Sequence, residues 1–132
     1  MTPISIIQEE LCQSIDIIMK SISFLAGQIG QEALPDTYES DLHQVDTATQ
    51  KLKAFVKDLN TPPPEELAAV ESFASALRHN MRTPVNAIRG YSEIIMEETR
   101  GVSEVQEHLT AIINTTDNIL SNTAKIKPSS WL

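Results

Sequence analysis

Leu77-Arg78-His79-Asn80-Met81-Arg82-Thr83-Pro84-Val85-Asn86-Ala87-Ile88-Arg89-Gly90-Tyr91 decides the fold, because apolar residues recur through it at helical spacing with a proline in their midst. Val70, Ala74, Leu77, Met81, Pro84, Ile88, Tyr91 and Ile95 alternate at spacings of four and three. That is the a/d seam of a helix packed in a bundle. A proline inside such a helix removes a backbone hydrogen bond and clashes with the preceding turn, at about 3 kcal/mol, so its presence predicts a bend one turn past His79. His79 lies two residues from both Leu77 and Met81, at the f position, and the register points its imidazole to water.

Turn-forming residues divide the chain into four such helices. Gly27, Gly30, Pro35 and Asp36 interrupt the first pair, Asn60-Thr61-Pro62-Pro63-Pro64 separates the halves with Glu65 and Glu66 suited to a helix start, and Gly101 breaks the second pair. The expected helices span residues 3–30, 37–60, 64–99 and 103–126. No segment alternates with strand period, and short connections make consecutive helices antiparallel neighbours. The expected fold is therefore all-α, an up-down four-helix bundle built from two helical hairpins.

The two halves repeat one pattern. Ile4, Gln8, Leu11, Ile15, Ile18, Ile22, Leu25 and Ile29, moved 66 residues along, land on the seam from Val70 to Ile95, and Gln13 falls on His79. Tyr38, Leu42, Val45, Thr49, Leu52, Val56 and Leu59 map by 67 residues onto Val105, Leu109, Ile112, Thr116, Ile119, Thr123 and Ile126. This organisation predicts a degenerate hairpin over 1–60 that lacks the histidine and a second hairpin over 61–132 that carries it. One chain then forms a monomeric pseudo-dimer; the alternative is a homodimeric bundle through residues 64–126.

His79-Asn80-Met81-Arg82-Thr83-Pro84, followed by Val85-Asn86-Ala87-Ile88 and Gly90-Tyr91-Ser92-Glu93, resembles the H-box of the sensor histidine kinase dimerisation and phosphoacceptor (HisKA) domain. The resemblance implies that His79 is the phosphoacceptor, exchanging a phosphoryl group with the receiver domain of a response regulator. It makes Pro84 the helix kink and Thr83, one turn along from His79, the residue that positions water for dephosphorylation. Family members usually carry an acid after the histidine to take its proton during attack on ATP; Asn80 hydrogen-bonds but is no such base. His79, Thr83, Asn86, Gly90 and Glu93 form an exposed stripe for partner docking, and Arg82 and Arg89, one heptad apart, either meet a partner's phosphate or solvate the bundle.

The implied cofactor situation is simple: none held by this chain, with Mg²⁺ at the partner's phosphoryl-transfer site. With 132 residues the chain has no room for the ATP-binding domain of a kinase, which the reading assigns to a partner in trans or to sequence outside this chain. The alternative function is a noncatalytic dimerisation or coupling domain of a larger signalling protein.

A net charge of -8 argues against nonspecific nucleic-acid or anionic-lipid binding. Asp16, Lys20 and Gln28 interrupt the apolar stretch from Ile15 to Ile29, so no membrane span is expected, and the single Cys12 fits a cytoplasmic setting and a small bundle position. His43 and His108 read as solvated helix residues without metal-ligand spacing. The pairs Glu9-Glu10, Glu65-Glu66 and Glu97-Glu98 read as hydrated surface. Trp131 reads as a capping contact or a free tail.

Overall fold

The computed structural model describes residues 2–30, 34–60, 67–99 and 101–131. It contains the four expected helices, α1 (Ile4–Gln28), α2 (Glu39–Lys57), α3 (Leu67–Glu98) and α4 (Ser103–Thr123), and no extended strand among the described residues. The principal packing pairs are α1 with α2 and α4, and α3 with α2 and α4. The helices therefore stand at the corners of a square in chain order. Helices α1 and α3 are diagonal to each other, and each faces both α2 and α4.

The helices are shorter than their apolar patterns because the hairpin turns start inside them. After α1, Gly30 takes φ +81° and donates its N–H to the carbonyl of Leu34 at 2.9 Å, a left-handed conformation that glycine adopts without a Cβ penalty. Gly101, with φ +91°, turns the second hairpin in the same way. A 3-10 turn at Asp36–Tyr38 precedes α2, another at Asp58–Asn60 follows it, and Ile126 remains buried beyond the end of α4. Residues 61–66, with the prolines and the glutamates expected at the start of the third helix, lie outside the described residues. Helix α3 runs unbroken past Pro84.

The seams pack as the periodicity dictates. In the second helices Leu42, Val45, Thr49, Leu52 and Val56, and their counterparts Leu109, Ile112, Thr116, Ile119 and Thr123, are all buried. The matched Thr49 and Thr116 satisfy their buried hydroxyls by donating to their own helix, to the Val45 carbonyl at 2.7 Å and the Ile113 carbonyl at 2.6 Å. The first helices of the two hairpins deviate from a strict a/d seam, in opposite senses. Helix α3 also buries the e-position residues Val85 and Ser92, with Thr99 continuing that row just past its end, whereas α1 also buries the g-position residues Ile7, Ser14 and Ser21. A two-position stripe is too narrow for a helix touching two neighbours, and at 3.6 residues per turn a seven-residue repeat drifts by about 20° per heptad, so a third row is enlisted.

Several contacts join the halves. The Trp131 indole donates its N–H to the Leu59 carbonyl at 3.3 Å and lies 5.5 Å from the Phe73 ring, so it is a capping contact at one end of the bundle. At another junction the Tyr38 hydroxyl donates to Glu98 at 2.9 Å. His108 is not the solvated residue its spacing suggested: its ring stacks on Phe24 at 3.9 Å between centroids, and Nδ1 lies 3.3 Å from Ser21 Oγ, bringing α4 against α1. A half-buried imidazole is accommodated there because one face is covered by the phenyl ring. Cys12 is exposed rather than packed in the bundle, because it falls one residue past the seam residue Leu11.

Leu52, fully buried on α2, makes the coverage measurable. Leu52→Ala should lower unfolding free energy by about 2–5 kcal/mol in urea titrations, the range for truncating a buried leucine. Tyr38 offers a second check. Its hydrogen bond to Glu98 raises the phenol pKa above the ordinary 10.0, so the unfolded chain loses this proton first. The stabilisation is present below about pH 10 and fades as pH rises through the folded value. Ultraviolet titration in a Tyr91→Phe background should show Tyr38 ionising above its ordinary value, and Glu98→Ala should bring it down.

Candidate functional site

The middle of α3 separates a locked face from an open one. Met81, Pro84, Val85 and Ile88 are buried, while His79, Asn80, Arg82, Thr83, Asn86 and Gly90 are exposed. Because the inward row is fixed in the core, the outward row is held in place by the helix itself. The His79 imidazole thus faces solvent from a rigid element, as its f position requires, and among the described residues it makes no hydrogen bond or ion pair. Pro84, lacking an N–H, provides no helical donor for the carbonyl of Asn80, which sits beside the histidine.

On the α4 side of this row the charges are already matched within the chain. Arg89 donates from Nε to Glu93 at 2.9 Å and from Nη1 to Asp117 of α4. Glu93 first and Asp117 next push the guanidinium's pKa further up. Two of the expected partner-facing residues, Arg89 and Glu93, are therefore engaged with each other, though both remain partly exposed. Arg78 turns to the bundle end, donating to the Ile126 carbonyl at 2.5 Å. Arg82 makes no ion pair among the described residues.

On the α2 side lies a groove of about 370 Å³. Asn80, Thr83, Pro84 and Ala87 of α3 form one wall, and Gln44, Thr47, Ala48, Lys51 and Phe55 of α2 form the other. The expected docking stripe is thus divided: Thr83 belongs to this groove, while Asn86 and Glu93 follow His79 along the outward f row. Gly90 lies exposed in the same helical row as Thr83.

The pairing of halves creates a counterpart groove of about 400 Å³ between α1 and α4, with Glu10, Gln13, Ser14, Ile17, Asn118, Ser121, Asn122 and Lys125 on its walls. The sequence offsets make Gln13 the match of His79, Ser14 of Asn80, Ile17 of Thr83 and Asn118 of Lys51. Neither nucleophile nor Thr83 hydroxyl survives on that side. No cluster of three or more histidine, cysteine or acidic side chains suited to a metal occurs among the described residues.

The α2 wall of the His79 groove was not evident from the H-box alone. It becomes legible once the helix facing α3 is known to come from the other half, because Lys51 is then the residue that replaces Asn118 at the matched position.

Residues 69–125 match the profile of the His Kinase A (phospho-acceptor) domain. Over 62 residues the chain is 31% identical to the sensor histidine kinase HprS of Escherichia coli (strain K12), an alignment covering 47% of this chain and 14% of that protein. No solved structure gives a significant match.

Proposed function

We propose, from the match of residues 69–125 to the His Kinase A (phospho-acceptor) domain, that the chain is a histidine phosphotransfer module of two-component signalling, with His79 as its acceptor. The observation that carries this reading is the outward imidazole on a helix whose opposite face is locked in the core. Such a group is a competent nucleophile near neutral pH and is open to the active site of another protein.

The proposed step is exchange with a receiver domain. The unprotonated ring nitrogen of His79 attacks phosphorus, a nitrogen–phosphorus bond forms, and the bond to the receiver's aspartyl oxygen breaks with its electrons returning to the carboxylate. The proton on the other ring nitrogen stays until water removes it. Mg²⁺ held by the receiver would supply the charge neutralisation for the transferring group. Thr83, one turn from His79, orients water for a separate hydrolytic dephosphorylation that releases inorganic phosphate, and Arg82 with the outward residues Asn86, Gly90 and Glu93 meets the receiver.

The first hairpin serves as the pseudo-symmetric mate of the second. Residues 1–60 provide the two helices that a second copy of the domain otherwise supplies, and one histidine serves the whole bundle. No described helix is long and apolar enough to cross a membrane, and the reading assigns the module to the cytoplasm, where ATP and receivers meet.

Incubation with a phosphorylated receiver domain should place an acid-labile, base-stable label on the protein, and His79→Gln should abolish it. Label persisting in that variant removes His79 as the acceptor, and an unlabelled native protein points to a noncatalytic coupling module instead. Asn80 generates a separate expectation. Supplied with ATP and a histidine kinase catalytic domain, Asn80→Asp should label faster than the native protein, because a carboxylate then accepts the imidazole proton, by up to about the 10²-fold of a modest general base. Exchange with the receiver should change little.

A further inference from the structure

We propose that Lys51, contributed by the first hairpin, is the cation that holds the phosphoryl group at His79, so that the site is assembled from both halves of the chain. The inference rests on the phosphotransfer reading above and extends it to a residue outside the H-box.

Lys51 lines the groove on the α2 side of α3 together with Asn80 and Thr83, the residues one and four places after the histidine. Among the described residues it is the sole charged side chain on either wall of that groove. Among the described residues it makes no salt bridge or hydrogen bond, and it is exposed, so its ammonium is not committed elsewhere. The other cations of α3 differ: Arg89 is bound to Glu93 and Asp117, Arg78 donates to the carbonyl of Ile126, and Arg82, which makes no ion pair among the described residues, lies outside this groove in the helical row of Arg89.

The counterpart groove provides an internal control. There the position of Lys51 is held by Asn118, and the groove's lysine, Lys125, lies 3.8 Å from Glu10. Among the described residues, the groove without a nucleophile is also the groove without an uncommitted cation. Gln13 and Asn118 occur together on one side, and His79 and Lys51 together on the other. A bundle of two identical H-box hairpins would place the equivalent of Asn118 in this groove, so the charge is specific to the two-hairpin chain.

The chemistry needs such a group. Phosphorylation adds a dianionic phosphoryl group to a chain whose net charge is already -8. A lysine ammonium is a flexible point charge with three donors, able to follow the phosphoryl oxygens as the nitrogen–phosphorus bond forms. With a small donor such as phosphoramidate the balance is simple: the unprotonated imidazole nitrogen attacks phosphorus, the original nitrogen–phosphorus bond breaks, ammonia leaves with a proton taken from water, and the proton on the other ring nitrogen is returned to water.

Potassium phosphoramidate tests the proposal without a cognate receiver, with phosphohistidine followed by ³¹P NMR on the full chain. The native protein should label at His79. Lys51→Ala should form the adduct about tenfold more slowly, the scale of one charge-assisted contact, and Lys51→Glu more slowly still. Lys51→Arg should recover most of the rate. Lys53→Ala, an exposed α2 lysine outside the groove, removes the same net charge and should label like the native protein. Equal thermal melts would confirm that each variant is folded. Native labelling at His79 that Lys51→Ala leaves unchanged, or that Lys53→Ala slows equally, overturns the role of Lys51 and leaves the phosphoacceptor reading standing. Failure of the native protein to label, or labelling that survives His79→Gln, defeats both.

Discussion

Everything in this structure depends on burying the apolar stripe of α3. The stripe is three rows wide, with Met81, Ile88 and Ile95 on one row, Pro84 on the next, and Val85 and Ser92 on a third. A single neighbouring helix cannot cover so broad a face, and a two-helix hairpin leaves much of it in water. Here α4 takes one flank and α2 takes the other. The first hairpin therefore supplies half of the environment of the H-box helix, and its own helix α1 closes the square against α4.

Function follows from the same packing. Because the helix is immobilised through its inner rows, the residues 180° away are displayed without needing contacts of their own, and His79 is such a residue. Its flanks are then set by whichever helices lie beside α3. Helix α4 brings Asp117, which ties down Arg89. Helix α2 brings Lys51 and a groove into which Thr83 opens. A histidine on an isolated helix would have neither flank, so the asymmetric surroundings are a product of tertiary structure rather than of the H-box.

Much of the architecture was legible in the residues. The a/d spacing located all four helices and their inward faces, and glycines at 30 and 101 marked both hairpin turns. The exposure of His79 followed from counting two residues from Leu77 and Met81. Other features depend on which side chains tertiary packing brings together. The third buried row, at Val85 in α3 but at Ile7 and Ser14 in α1, depends on the rotation of each helix toward its neighbours, which heptad counting does not fix. The stacking of His108 on Phe24 joins residues 84 positions apart, and the opposition of Lys51 to Asn80 requires knowing that α2 is the neighbour. Cys12 shows the limit of reasoning from residue type, since its small size suited the core but its register faced it outward.

Native-state hydrogen exchange tests most directly whether the two hairpins form one cooperative core. The slowest amides in all four helices, including those of Leu11, Leu52, Ile88 and Ile112, should exchange through a common opening whose free energy equals that of global unfolding. Amides of α1 and α2 that exchange through a lower-energy opening, while those of α3 and α4 stay protected, would contradict it. The H-box helix would then be stable without the first half, and the surroundings described for His79 would not be a property of the fold.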